Sequence, residues 1–273
     1  MQRLLTVLIF TLAASVVSAS DLPRVVSVNV CTDQYVMLLA DQSQVVSLSA
    51  LSDDPQSSAF ADKAGEFPQN NGRAEAIAVE QPDVVVAGEW SDPALLNILR
   101  TIGIDVVQFP IITALDDIPD QLRRMGAVLK REDVAEKMAR AFEENLAALP
   151  EPDEAAPLAA FFFPNGYALG TGTISHDILI KGGARNLSVE LGMQGGGRLA
   201  LEQVVLNTPD FLISAPSYSG FSRSEELTRH TALADFPVVH STSDWTCGTP
   251  LTLNAVAQVA DAVSRLRDTS VTE

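Results

Sequence analysis

Two segments of this 273-residue chain repeat one another, and that repetition restricts the architecture more than any other feature. Glu75, six residues, then Pro82-Asp83-Val84-Val85-Val86 recurs as Glu202, six residues, then Pro209-Asp210-Phe211-Leu212-Ile213, at an offset of 127 residues. A Gly-Arg pair precedes each Glu, Gly72-Arg73 in one copy and Gly197-Arg198 in the other. Self-similarity at a fixed offset near half the chain is the signature of two related lobes.

The surrounding pattern gives each lobe its class. In the first half the strand-length apolar runs are Val25–Val28, Val45–Leu48, Val84–Ala87 and Val106–Phe109. Between them lie the helical patterns Asp33–Ala40, a short helix ending at Ile77–Gln81, and Pro93–Ile102. The second half alternates likewise: strands at Leu158–Phe163, Phe211–Ile213 and Val238-Val239, helices at His176–Lys181 and Leu253–Leu266. Uninterrupted Val/Ile runs alternating with helices indicate parallel sheets covered on both faces. The fold class is therefore α/β, two Rossmann-like lobes with mainly parallel sheets. Between them, residues 132–149 place apolar side chains at 134, 138, 142, 146 and 149, one stripe of a single helix. That helix spans about 27 Å at 1.5 Å per residue. The expected organisation is a secretion signal at 1–19, an N-terminal lobe at 24–130, a connecting helix at 131–150 and a C-terminal lobe at 151–273, with 153–157 as a Pro/acid-rich linker.

The signal rests on Arg3, the apolar Leu4–Ala14 and the small residues Val17-Ser18-Ala19 at a cleavage position. That run is too short to span a bilayer, and Val28-Asn29-Val30 before Cys31 makes a poor lipobox. The mature chain is thus expected free in an oxidising compartment, as a bacterial periplasm is, without stable membrane insertion. Its net charge is −17 before cleavage, and loss of Arg3 makes it −18. Such acidity repels phosphate backbones and excludes nucleic acid as a partner.

In open parallel sheets ligands bind beyond the carboxyl ends of the strands. Here Asn29–Gln34, Ser49–Asp54 and Glu89-Trp90 follow strands of the first half. Asn165 and Tyr167, then Tyr218 and Phe221, then Trp245-Thr246-Cys247 follow strands of the second. Both tryptophans and two of three tyrosines fall at strand exits, as a broad and partly apolar ligand requires. Covalent chemistry has little to work with. His176, His230 and His240 lack ligand-like spacing, no Gly-x-Ser-x-Gly occurs, and Gly170-Thr171-Gly172-Thr173 lacks a P-loop lysine and reads as a turn. Cys31 and Cys247 admit two readings. An even count in an oxidising compartment favours a disulfide. However, they exit strands of opposite halves, and a bond needs Cα atoms within about 7 Å, so thiol contact with a ligand or soft metal is the other.

Arg24–Val28 with Asn29–Gln34, Ala74–Ile77 through Pro82–Val85, Gly183–Leu187 and Leu201–Val204 through Pro209-Asp210 together resemble one family. It is the periplasmic solute-binding proteins of ABC importers for ferric siderophores, haem and cobalamin, whose lobes are joined by one long helix. The resemblance implies a non-enzymatic monomer with no cofactor of its own. Its ligand is a small metal–organic complex, and its partner an ABC permease dimer with its ATPase. It also implies that Glu75 and Glu202 dock onto permease arginines. Among ligands it favours cobalamin, since Ser49–Pro55 resembles the second cleft loop of cobalamin-binding members and Trp90 stands where they place a tryptophan. Leu51 replaces a tyrosine of those members and Gln69 a tryptophan. Arg73 and Arg198, if they face the cleft, suit an anionic ferric chelate or haem instead. The expected ligand set is Asn29, Cys31, Arg73, Trp90, Asn165, Tyr167, Arg198, Tyr218, Trp245 and Cys247. The alternatives are a periplasmic enzyme with a cleft cysteine as nucleophile, or a binding protein for a free metal ion.

Overall fold

The computed structural model describes residues 22–150, 153, 155–217, 220 and 222–271. The signal segment 1–19 and Tyr218 lie outside them, as does Phe221. The N-terminal lobe runs β1 (Val25–Ser27), α1 (Val30–Leu39), β2 (Val45–Ser49), α2 (Ala61–Ala64), β3 (Gln69–Asn70), α3 (Ala74–Glu80), β4 (Val84–Gly88), α4 (Pro93–Thr101) and β5 (Asp105–Phe109). Its sheet has the order β3-β2-β1-β4-β5, all parallel. Side-chain alternation explains the Val-rich runs. Val84 and Val86 of β4 face the main core, whereas Val85 and Ala87 join Val26 under Ile77, Leu95, Leu96 and Leu99 of α3 and α4.

Two helices follow, α5 (Ile118–Leu129) and α6 (Glu132–Ala147). Lys130, at φ 54°, breaks the run, so α5 and α6 form an antiparallel hairpin. They pack so closely that a Cβ on Gly126 would lie 2.3 Å from the Cβ of Ala135. Arg123 bridges them to Glu136 (2.7 Å) and Glu143 (2.9 Å). The connector α6 is 16 residues long, about 24 Å, slightly shorter than the expected 132–149 and braced by α5 along its length.

The C-terminal lobe comprises β6 (Leu158–Phe161), β7 (Tyr167–Leu169), α7 (Ile174–Lys181), β8 (Arg185–Asn186), α8 (Leu187–Glu190), β9 (Gly196–Arg198), α9 (Leu201–Asn207), β10 (Phe211–Ser214), β11 (Val238–His240) and α10 (Thr252–Val271). Its parallel sheet is β11-β10-β6-β8, with β7 and β9 paired antiparallel beside it. Gly170–Thr173 is a turn, Gly172 at φ 75° and Thr173 capping α7 through His176 N.

The repeat proves to be a structural device. α3 and α9 have seven residues each, both end in a left-handed residue (Gln81, φ 52°; Thr208, φ 42°), and both are followed by Pro-Asp. Each Asp reaches back to the first strand of its lobe. Asp83 accepts Arg24 N at 2.7 Å, and Asp210 accepts Leu158 N at 2.7 Å. The proline stops the helix and the carboxylate registers the next strand on the central one. Arg24 adds a clasp in the first lobe only, donating to the carbonyls of Glu80 and Gln81 at the end of α3.

Candidate ligand cleft

The strand order in each lobe reverses at its centre, between β1 and β4 and between β6 and β10, and the carboxyl ends beside these switch points are where open α/β sheets bind ligands. In the first lobe these ends carry Asn29 and Gly88. The segment Asn29–Gln34 follows the first strand as expected, but the helix expected from Asp33 already begins at Val30. Asn29 caps α1, its Oδ1 accepting Cys31 N (3.0 Å) and Thr32 N (3.3 Å), so Cys31 lies in the helix's first turn. Gly88 is required there, because a Cβ would come within 2.8 Å of the Asn29 side chain.

Cys31 and Cys247 form a disulfide, their Cα atoms 5.3 Å apart. Of the two readings left open by the residues, this one holds, and the objection that an open cleft keeps such loops apart fails. The lobes meet at a neck, and the bond lies in it. Tyr35 O–H donates to the Gly248 carbonyl there, and burial pushes its phenol far above the usual range, so it stays a donor. Leu115 N donates to Asp177 at 2.6 Å, and Ile112 fills the space a Gly248 side chain would need. One apolar cluster consequently runs from Val25 through α5 and α6 to Phe161 and Val259. With both sulfurs bonded, a cysteine nucleophile has no thiol to start from.

Two cavities flank the neck. The smaller, ≈ 210 Å³, lies between Asn29, the disulfide, Trp90, Ile111 and Gly248. Trp90 is 78% exposed at its mouth, and the neighbouring Glu89 accepts Ile111 N at 3.1 Å. The larger, ≈ 800 Å³, opens between Asp54–Ser57 of the first lobe and Phe163, Ser175, Pro216, Ser241–Ser243, Trp245 and Thr246 of the second. Its lining is mostly hydroxyls and one indole. Asp54 is the one charged side chain among those lining residues, held below the usual carboxylate range by the Ser57 hydroxyl and Gln56 N–H. Thr246 lines both spaces.

The expected ligand residues separate under this geometry. Asn29, Cys31, Trp90 and Cys247 line the smaller cavity and Trp245 the larger. Trp245 is 5% exposed, stands edge-on to Phe161 and donates Nε1–H to Gln258 at 2.8 Å, so its polar end is used within the fold. Arg73, beside the N-terminus of α3, and Arg198, opposite Tyr167 across β7–β9, are exposed and line neither cavity. Nor do Asn165, in a left-handed turn at φ 60°, and Tyr167, whose hydroxyl fills the space above Gly196. The cleft serines and Phe163 were not foreseen. A lone Ser in a loop carries no pattern, whereas Phe163 closes a run of three phenylalanines at 161–163, and its ring stacks on that of Phe161 at 5.9 Å.

One buried carboxyl anchors the loop that leads to the cleft rim. Asp33 accepts Ser49 N at 3.0 Å and the Ser49 hydroxyl, anchoring the start of the loop that carries Asp54–Ser57. Burial pushes its carboxyl up to about 6 despite its bonds from Ser27 and Ser49. The folded protein therefore holds this proton to higher pH than the unfolded chain, and the stability linked to it falls as pH rises through 6. A rise from 3.8 to about 6 corresponds to about 3 kcal/mol. Asp33→Asn keeps an oxygen for Ser49 N–H and removes the titration. In melting curves from pH 4.5 to 7.5 the wild type is expected to lose stability relative to the variant as pH rises. Parallel profiles would refute the assignment.

Residues 25–244 match the family described as periplasmic binding protein. The chain belongs to that family. Its relatives include a cobalamin-binding protein of Halobacterium salinarum, 24% identical over 241 residues that cover 86% of this chain. This chain spans 64% of that relative's length. The vitamin B12-binding protein of Pectobacterium atrosepticum is 24% identical over 235 residues, 82% of each chain. Among solved structures, the periplasmic heme-binding protein RhuT of Roseiflexus sp. RS-1 superposes with a TM-score of 0.71 at 19% identity, covering 88% of this chain and 98% of its own. The periplasmic vitamin B12-binding protein BtuF of Vibrio cholerae gives 0.65 at 18% identity, covering 90% and 98%. At these identities the superpositions carry the two-lobed fold, and the expected fold class stands.

Proposed function

We propose that this binding protein is the substrate-capturing component of an ABC importer and that its ligand is a cobalamin-like corrinoid. The observation that carries the ligand class is the charge of the cleft. Among the described residues no Arg or Lys lines either cavity, and the charged groups there are Asp54 and Glu89. A haem or carboxylate siderophore brings anionic groups that need a cationic partner, whereas a corrinoid presents a rim of neutral amides to hydroxyls such as Ser57, Ser241 and Ser243. The relatives named for cobalamin and vitamin B12 support the same class. The metal travels inside the ligand as cargo. Among the described residues no group of three or more His, Cys, Asp or Glu is placed to hold a bare ion.

An inter-lobe disulfide suits an oxidising compartment, and the importer reading places the mature chain in the periplasm. Among the described residues no helix is long and apolar enough to cross a membrane. The decisive experiment is a fluorescence titration of the purified protein with cyanocobalamin, haemin and a ferric hydroxamate. Cyanocobalamin is expected to quench the exposed Trp90 strongly, and Trp90→Phe removes most of that change. Saturable binding of haemin or the hydroxamate in preference to the corrinoid would overturn the ligand class.

A further inference from the structure

The two most exposed large apolar side chains among the described residues are Val79, at 83%, and Leu206, at 81%. They are repeat mates, 127 residues apart, as are Glu75 and Glu202. Each stands four residues after its glutamate on a seven-residue helix, α3 or α9. Residues four apart share a helix face. The opposite face is anchored by another pair of mates, since Ile77 and Val204 are both fully buried. Both lobes therefore present the same unit: a carboxylate at the first turn and an uncovered aliphatic group one turn later. A helix that precedes a strand in a parallel sheet runs against it, so both glutamates lie at the cleft-side ends of their lobes and both aliphatics one turn behind.

We propose that Val79 and Leu206 are apolar contacts of the importer's docking surface. Each seats in an apolar socket beside the basic group that receives Glu75 or Glu202, on a partner with two matching halves. The inference rests on the importer reading above and adds two residues to it. Three features favour that occupant. Pairing across the internal repeat answers a partner that is itself two-fold. The adjoining carboxylates on an acidic chain call for a basic face. Isolated exposed aliphatics need no explanation, but the two extremes of exposure at equivalent positions beside the paired glutamates do.

Both side chains stand in water, so Val79→Ser and Leu206→Ser leave the fold and cyanocobalamin binding unchanged. The test uses the full mature protein and the cobalamin permease–ATPase complex of the source cell in lipid nanodiscs, with docking affinity measured at several salt concentrations. Each serine variant is expected to weaken docking about tenfold, the loss of one buried aliphatic group, with the salt dependence unaltered. Glu75→Gln with Glu202→Gln weakens docking and flattens the salt dependence. If the serine variants dock like wild type while the glutamine variants fail, this inference falls and the importer reading stands. If wild type does not dock, both fall; if it docks and neither pair matters, this inference falls and the permease is met by some other face. Sedimentation showing a wild-type dimer that the serine variants dissociate would assign the patch to self-association and overturn the proposal as well.

Discussion

Reduction of the Cys31–Cys247 bond is expected to lower the melting temperature by about 10–20 °C and to let the two lobes move apart. The bond closes a loop of 216 residues in sequence. Chain entropy assigns roughly 5 kcal/mol to a closure of that length, near the upper end of the usual range. For a chain of this size each kcal/mol shifts the midpoint by about 2–4 °C. The neck does not vanish on reduction, because Tyr35 still donates to Gly248 and Leu115 to Asp177, each such bond contributing about 1 kcal/mol. A Cys31→Ser/Cys247→Ser variant is therefore expected to fold, melt early and sample wider openings. Small-angle scattering checks the last point. The oxidised protein should keep one radius of gyration with or without cyanocobalamin, while the variant contracts on binding. Two covalent crossings, the bond and the braced α6, make a preformed cleft, and preformed sites lose less freedom on binding. Equal contraction of both proteins would show that the bond does not set the opening.

What the residues announced and what they concealed divide along physical lines. The strand runs at 25–28, 84–87 and 106–109 were legible because buried parallel strands tolerate apolar side chains on both faces, and Val26 and Val85 face one layer while Val25 and Val84 face the other. The Pro-Asp repeat was legible as a pattern, but its function was not, since the backbone N–H groups of Arg24 and Leu158 that it captures lie 59 and 52 residues away. Helix α1 was placed late because Val30-Cys31-Thr32 prolongs a β-branched run, and the Asn29 cap was the signal that outweighs it. The short strands β3, β8 and β9 have two or three residues each and no periodicity to detect. The site was less legible than the fold. Trp90 and Trp245 both stand at strand exits as read, yet one is open to solvent and the other bonded to Gln258, a distinction made by α10 more than by local sequence. The partnership of two cysteines from opposite lobes depends on how the lobes meet at the neck, which no local pattern encodes.

Replacing both Glu75 and Glu202 by Gln is expected to abolish uptake through the importer while leaving capture of the ligand intact. Both residues are exposed, at the first turns of α3 and α9, and neither lines either of the two cleft cavities. The folded state asks little of them, so their removal is not expected to disturb the cleft. Hydrogen bonds to charged groups contribute about 1.5–3 kcal/mol each, so loss of two weakens docking by roughly a hundredfold or more. Charge complementarity also sets register and encounter rate, so wild-type docking should slow with added salt and the double variant should not. The α5–α6 brace and the disulfide give the pair its meaning. They hold α3 and α9 at a fixed relation, so in the proposed docking the two carboxylates would reach the partner together and the second contact would form at high effective concentration. Single variants are accordingly expected to lose more uptake than half, and breaking the disulfide is expected to weaken docking even with both glutamates present. Uptake that survives the double substitution would mean that the repeat serves the fold alone, through Asp83 and Asp210, and that the permease is met by some other face.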